Sequence, residues 1–181
     1  GNLILSFSKL LNQKAIHKPS AQHVLDDDYY KRIEAIQFTM SHDDGKKVDD
    51  LDSADVVLLG VSRTSKTPTS IYLANRGYKT VNIPLVLDQK IPADLYSNNS
   101  SCIVGLIADP ERLSDIRRNR VAIMQDQNLK EYTDLDSIKK EVEDSRKLFK
   151  KNSWPIIDVT RRSVEETAAS ILKIIEIKKN Q

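Results

Sequence analysis

The stretch DVVLLGVSRTSKTPTS, residues 55–70, decides how this chain is read. It opens with Asp55-Val-Val-Leu-Leu59, a short unbroken apolar run of the kind found in strands buried on both faces. Its end predicts a helix over 68–76, with Pro68 near the first turn and Gly77 as a stop. Between them lies Gly60-Val-Ser-Arg-Thr-Ser-Lys-Thr67. The phosphate-loop pattern G-x-x-x-x-G-K-[ST] has every anchor here except its second glycine, replaced by Ser65. A loop that leaves a buried strand and enters a helix aims free amides and a positive helix end at one spot. Lys66 adds an ammonium, and Thr67 a hydroxyl able to ligate Mg²⁺. Gly60, Val61, Ser62, Arg63, Thr64, Ser65, Lys66 and Thr67 are thus the candidate nucleotide-phosphate residues, with Lys66 also a catalytic candidate and Thr67 the metal ligand. The Cβ of Ser65 is expected to narrow the loop or bring a hydroxyl close to the phosphates. The competing reading is an ordinary Ser/Thr-rich connection with a solvated lysine.

Outward from the loop, strands and helices alternate. Further strands are predicted over 79–86, 102–107 and 155–159. Helices are predicted over 110–124 and from the capping-box-like Thr133-Asp-Leu-Asp136, with Ile138, Val142 and Phe149 inward. A last helix follows the capping sequence Ser163-Val-Glu-Glu166, with Val164, Ala168, Ile171 and Ile175 inward. Upstream, residues 26–40 place Tyr29, Ile33, Ile36 and Met40 on one helical face, with Asp26, Asp27 and Asp28 at the positive end. This helix stops before Gly45. The interleaving predicts an α/β fold, a parallel sheet with helices on both faces, of phosphate-loop-kinase type. Residues 25–181 form the nucleotide-binding domain, and 1–24 read as a connector from a preceding region.

At 181 residues the chain suits one domain, and 39% hydrophobic residues can fill a core. The 28 basic and 26 acidic residues nearly cancel, which argues against nucleic acid or a membrane surface as partner. A single Cys102 excludes an internal disulfide framework and a Cys-rich zinc site. No apolar run approaches the roughly 20 residues that span a bilayer. The opening GNLILSFSKLLNQK has no basic leader and no cleavage signal, so a cytoplasmic protein is expected.

The run from Ala54 to Gly77 closely resembles the bacterial pyruvate, phosphate dikinase regulatory proteins, a family that includes the phosphoenolpyruvate synthase regulatory proteins. The resemblance continues in Arg32-Ile-Glu-Ala-Ile-Gln-Phe38, His42-Asp-Asp-Gly45, Asp109-Pro-Glu-Arg-Leu113 and Ile116-Arg-Arg-Asn-Arg120, and in Trp154-Pro-Ile-Ile-Asp-Val-Thr-Arg-Arg-Ser163 and Glu165-Glu-Thr-Ala168. Family members are longer at the N-terminus, so the chain is expected to hold the nucleotide-binding part of a larger protein. The resemblance implies ADP-dependent phosphorylation of a threonine on the dikinase. It also implies the reversal, in which inorganic phosphate attacks the phosphothreonine and pyrophosphate leaves. By correspondence, residues 60–67 would hold the ADP phosphates. Ser65-Lys66 resembles the dikinase-directed branch, whereas the synthase-directed branch tends to carry Gly-Lys.

Phosphoryl transfer needs a carboxylate to hold Mg²⁺ or accept the hydroxyl proton. Asp43 and Asp44 are the candidates, Asp44 first, although Asp44-Gly45 alone is also an ordinary turn. His42 has no second ligand nearby and reads as a polar helix-end residue. On a wheel of the 110–124 helix, Arg112 and Arg120 share an arc with Leu113, Ile116 and Ile123, which suggests a counter-anion. Arg117, Arg120 and Arg161 are the phosphate-contacting candidates, and snorkelling or salt-bridged arginines are the alternative. Arg161 and Arg162 follow the 155–159 strand, at the edge where such sheets bind ligands. Cys102 and Trp154 read as packing residues, and Lys173 to Lys179 as a solvated helix face. The rival readings are the same chemistry on the synthase, an ATP-dependent small-molecule kinase, and a nucleotide-sensing module. A homodimer is kept open.

Overall fold

The computed structural model describes residues 9–10, 27–45, 50–86, 91–98, 100–124 and 130–180. The expected connector over 1–24 lies almost wholly outside the described residues. The central strand is β1 (Val56–Gly60), buried at all five positions. It pairs in parallel with β2 (Thr80–Pro84) on one side and β3 (Cys102–Ile107) on the other, and β4 (Ile156–Asp158) pairs in parallel with β3. The order is therefore β2-β1-β3-β4. The described helices are α1 (Asp27–Ser41), α2 (Lys66–Ala74), α3 (Asp94–Ser97), α4 (Pro110–Met124), α5 (Lys130–Thr133), α6 (Leu135–Lys151) and α7 (Val164–Lys179).

Successive residues of β1 point to opposite cores, as the two-residue repeat of a strand dictates. Val56 and Leu58 pack with Leu73 of α2, Ile138 of α6 and Ala168, Ile171 and Ile175 of α7. Val57 and Leu59 pack with Leu95 of α3 and Phe149 of α6. Burying each such Val or Leu contributes about 1.5–3 kcal/mol, so the strand that feeds the loop is firmly held. Gly105 of β3 has its reason in the second core. The Phe149 ring occupies the place where a Cβ would stand.

From β1 the chain passes through α2 to β2 on one flank, then crosses to β3 on the other. The strand order therefore reverses at β1, and open α/β sheets bind ligands beyond the carboxyl ends of their strands at such a point. The loop after Gly60 sits there.

The elements agree with the sequence reading, with shifts of one to three residues at several ends. Helix α2 begins earlier than expected, at Lys66, and β2 and β4 are shorter than expected. The faces of two helices need correction. In α1 the buried residues are Ala35 and Thr39, whereas Tyr29, Ile33 and Met40 are exposed. Only the end of this helix packs inward, and Thr39 Oγ1 accepts from the Thr80 amide at 3.0 Å, covering a donor of edge strand β2. In α4 the buried residues are Leu113, Ser114 and Arg117, and Ile123 is 83% exposed. The inner side of α4 meets α5 and α6 through polar contacts: Ser114 Oγ donates to Thr133 O, and Arg117 pairs with Glu141. The cap of α6 is Asp134, which accepts from the Ser137 amide, and not Thr133. The Ser163–Glu166 capping box of α7 forms as the sequence predicts.

Candidate functional site

Gly60 ends β1 where a Cβ would stand 2.6 Å from Leu106 O and 2.7 Å from Thr64 Oγ1, so only glycine lets the loop turn against β3. Arg63 (φ 74°) and Ser65 (φ 57°) then take the left-handed conformation. This explains the one departure from the phosphate-loop pattern. The position calls for the backbone a glycine adopts freely, and Ser65 adopts it at a cost of about 1–2 kcal/mol. Its hydroxyl makes no capping bond, and the side chain is exposed. Thr64 is fully buried and its Oγ1 donates to Val61 O at 2.9 Å, pinning the bend from within.

Lys66 lies at the first turn of α2, 6% exposed, with Nζ donating to Val61 O at 3.0 Å. Burial lowers its pKa from 10.5 to about 8. Asp44 and Asp43 oppose that shift, while Arg117 and Arg63 add to it. The ammonium is thus folded over the loop's own carbonyl, a position from which a phosphate oxygen can draw it.

Thr67 and Asp43 meet. Thr67 Oγ1 donates to Asp43 Oδ1 at 3.1 Å, and Asn82 Nδ2 donates to Asp43 Oδ1 at 2.7 Å and to Thr67 Oγ1 at 2.9 Å. The acid comes from a 3₁₀ turn, Asp43–Gly45, packed on the end of β2. Asp44 beside it, at φ 58°, lines the cleft over the loop. The two carboxylates thus divide: Asp43 faces the Thr67 hydroxyl, and Asp44 the open space. His42 is a helix-end residue, as its sequence position suggests. It is buried, stacked on Phe38 at 4.0 Å, with Nδ1 within 2.7 Å of Phe38 O.

The cleft measures about 560 Å³ and is lined by Asp44, Arg63, Lys66, Thr67, Arg120 and Tyr132, among others. Arg120 is exposed on α4 and is among the residues that line this cleft. Arg117 does not line this cleft. Its guanidinium is fully buried, holds Glu141 Oε2 at 2.7 Å, and donates to Tyr132 O at 3.1 Å and to the loop carbonyl of Ser62 at 3.2 Å. It also lies over the Tyr132 ring at 4.7 Å, and Tyr132 OH meets Ser62 Oγ at 2.9 Å. Arg117 thus fixes the loop from behind, and a direct phosphate contact is not the role its surroundings give it. Arg161 lies outside the loop cleft, in a neighbouring one. Cys102 is buried in the first core, its thiol pushed up by burial, and Trp154 stacks on Tyr96.

Sequence reasoning missed Asn82, Tyr132 and Glu141. Asn82 had a signal: it is an amide at the centre of a buried strand, between Val81 and Ile83. Tyr132 and Glu141 had none, since half-exposed polar residues of helices are ordinary.

Residues 1–172 match the kinase/pyrophosphorylase family. The chain belongs to this family. It is 64% identical over 181 residues to a protein of Pelagibacter ubique named "Putative pyruvate, phosphate dikinase regulatory protein". Proteins of the same name in Erythrobacter litoralis and Sinorhizobium medicae are 52% identical over 164 and 173 residues. These matches cover 99%, 91% and 95% of the chain, but only 66%, 59% and 63% of the relatives. The chain therefore spans less than two-thirds of the length of these family members. Among the described residues no helix is long and apolar enough to cross a membrane.

Proposed function

We propose that this chain carries the nucleotide-binding and phosphoryl-transfer site of a bifunctional regulator of pyruvate, phosphate dikinase. One activity moves the β-phosphoryl of ADP to a threonine of the dikinase, forming the threonine O–P bond and releasing AMP. The other is phosphorolysis, in which an oxygen of inorganic phosphate attacks the phosphothreonine phosphorus. The threonine oxygen leaves with the proton of the attacking phosphate, and pyrophosphate is the product. The observation that carries this reading is the Thr67–Asp43 pair at the mouth of a phosphate loop, in a chain of this family.

The residues suit these steps. The amides of the loop and the start of α2 would receive the phosphates, and Lys66 would swing from Val61 O to the charge that builds on them. Asp44, open to the cleft, would take the threonine hydroxyl proton in the forward direction. Arg63 and Arg120 line the same cleft and would neutralise equatorial oxygens. A Mg²⁺ ion fits the donor set: Thr67 Oγ1 and Asp43 Oδ1 are hard oxygens, and Asn82 Oδ1 is buried without a partner among the described residues. Thr67 and Asp43 would hold the ion, which when bound supplies charge neutralisation at the phosphates.

The test uses ADP labelled in its β-phosphate and dikinase charged on its histidine. Label should reach a threonine with the full-length protein that carries this chain, and not with Lys66→Ala. Label transfer by Lys66→Ala at a near-normal rate overturns the reading. ADP binding without transfer by the full-length protein assigns it to nucleotide sensing instead.

A further inference from the structure

Beside the loop cleft lies a second one of about 380 Å³, into which four arginines converge: Arg63 of the loop, Arg112 of α4, and Arg161 and Arg162 after β4. Among the described residues no carboxylate lines it. Its floor is fixed. Val159 N donates to Ile107 O at 2.8 Å and Asp109 N to Thr160 Oγ1 at 2.9 Å, tying the segments after β3 and β4 together.

Among the described residues the neighbouring acids form no ion pair with these arginines, although the charge of Arg162 acts on Asp158. Asp109, Glu111 and Asp158 line an adjoining groove with Arg112, Arg161 and Arg162. Asp109 Oδ1 accepts from the Arg112 amide at 3.0 Å, and Asp158 Oδ1 from the Thr160 amide at 2.9 Å and from its hydroxyl. Arg162 Nη1 donates to Ser170 Oγ at 2.9 Å. Among the described residues, the guanidinium groups of Arg63, Arg112 and Arg161 make no hydrogen bond or ion pair. Three unpaired guanidinium groups from three separate segments repel one another across a concave surface, and such a surface concentrates anions. Their planar forks match phosphate oxygens two at a time. Among the described residues the lining holds no aromatic ring.

We propose that this cleft is a second phosphate subsite, which binds a phosphoryl dianion alongside the one held by the loop. The idea rests on the phosphotransfer reading for its purpose, because a reaction between two phosphate groups needs two anion sites side by side. Arg63 and Ser65 line both clefts and form the wall between them. The ligand is a phosphate monoester dianion or inorganic phosphate, which share the same chemistry. In phosphorolysis the loop takes one of the two phosphate groups, and the arginine cleft takes the other.

The experiment titrates inorganic phosphate, and separately a phosphothreonine peptide, into the full-length protein with and without saturating ADP. Calorimetry reads the binding. The variants are Arg112→Gln/Arg161→Gln, the charge-keeping Arg112→Lys/Arg161→Lys, and Lys66→Ala. The Gln pair should weaken phosphate or peptide at least about tenfold while ADP affinity stays within about twofold. The Lys pair should fall between the Gln pair and wild type, which keeps the test meaningful if the Gln pair folds poorly. Lys66→Ala should lose ADP and keep the second anion. Loss confined to the peptide assigns the cleft to a protein-borne phosphoryl group, and loss of free phosphate assigns it to the inorganic reactant. Unchanged affinity for both overturns the proposal, as does an equal loss of ADP affinity, which would place the arginines in the nucleotide site. Phosphate binding that is arginine-dependent in a protein that fails to bind ADP would sustain the subsite and overturn the phosphotransfer reading alone.

Discussion

The ammonium of Lys66 lies 3.0 Å from the carbonyl oxygen of Val61, five residues earlier in the loop it is meant to serve. The contact satisfies one donor of a nearly buried cation and leaves its charge without an ion pair, so desolvation sets its pKa near 8. A buried lysine in this state destabilises the fold that holds it.

The sign of that effect is testable. The folded pKa, about 8, lies below the 10.5 of the unfolded chain, so between these values the unfolded chain binds more protons. Stability must rise with pH across that window, and the penalty is present in full below it. Its size at neutral pH is about 3 kcal/mol. Lys66→Met should therefore be more stable than wild type in urea at neutral pH and lose the pH slope. Equal slopes for the two proteins would show that burial of Lys66 is not the cause.

The same group gives a signature of ligand binding. Phosphate oxygens favour the charged lysine, so ADP binding above about pH 8 should take up a proton. Calorimetry in buffers of different ionisation enthalpy should show uptake at pH near 9 and little at pH near 6.5. Affinity for ADP should fall as pH rises through that range.

Ser65 carries a left-handed backbone without a capping bond in return. Ser65→Gly should leave ADP affinity intact and raise stability by up to about 1 kcal/mol, the relieved strain being partly offset by the freer unfolded chain. Ser65→Val, whose branched Cβ fits this region worst, should lower ADP affinity at least about tenfold. Thermal melts and ADP titrations check both.

Arg117 and Glu141 form a buried pair at 2.7 Å, with side chains 1% and 15% exposed. Arg117→Met strands the carboxylate and should cost about 3 kcal/mol or more. Arg117→Met/Glu141→Leu should recover most of that stability. It should not recover ADP affinity, because the Ser62 carbonyl loses the donor that holds it. A double variant that regains both would reduce Arg117 to a packing residue. Urea melts with ADP titrations separate the outcomes.

What the sequence made legible follows from the strength of each signal. The strand at 102–107 stands where the apolar run put it, and the loop lies between β1 and α2 as the pattern required. Unbroken apolar runs have few competing explanations. The stripe Tyr29-Ile33-Met40 has one, since an exposed helix end can carry the same spacing, and in α1 the small Ala35 and Thr39 face inward. In α4 the wheel placed Leu113 inward correctly, but the arc it gave Arg112, Arg120 and Ile123 is exposed, because the neighbouring surface is polar and Arg117 fits it. Asp43 and Asp44 were found as a pair, but their division of labour needed the fold. Asp43 and Asn82 are 39 positions apart, and only the packing of the Asp43–Gly45 turn on β2 brings them together.

That division leads to a prediction that separates the two acids. Asp43 Oδ1 receives Thr67 and Asn82 at once, so Asp43→Asn keeps an acceptor of the same shape and should preserve the fold. It removes a charge that a divalent cation would need, so Mg²⁺ should no longer strengthen ADP binding, while metal-free ADP binding stays within about threefold. Among the described residues Asp44 has no such bonds to lose. Asp44→Asn should leave both the metal-free and the Mg²⁺-dependent affinity near wild type and lower the rate of transfer to threonine by a factor of about 10²–10⁴, the usual contribution of a positioned base. Titrations of ADP with and without Mg²⁺, alongside single-turnover transfer rates, read the two effects separately. If Asp44→Asn instead abolished the Mg²⁺ effect and Asp43→Asn slowed only the transfer step, Asp44 would be the metal anchor and Asp43 the base.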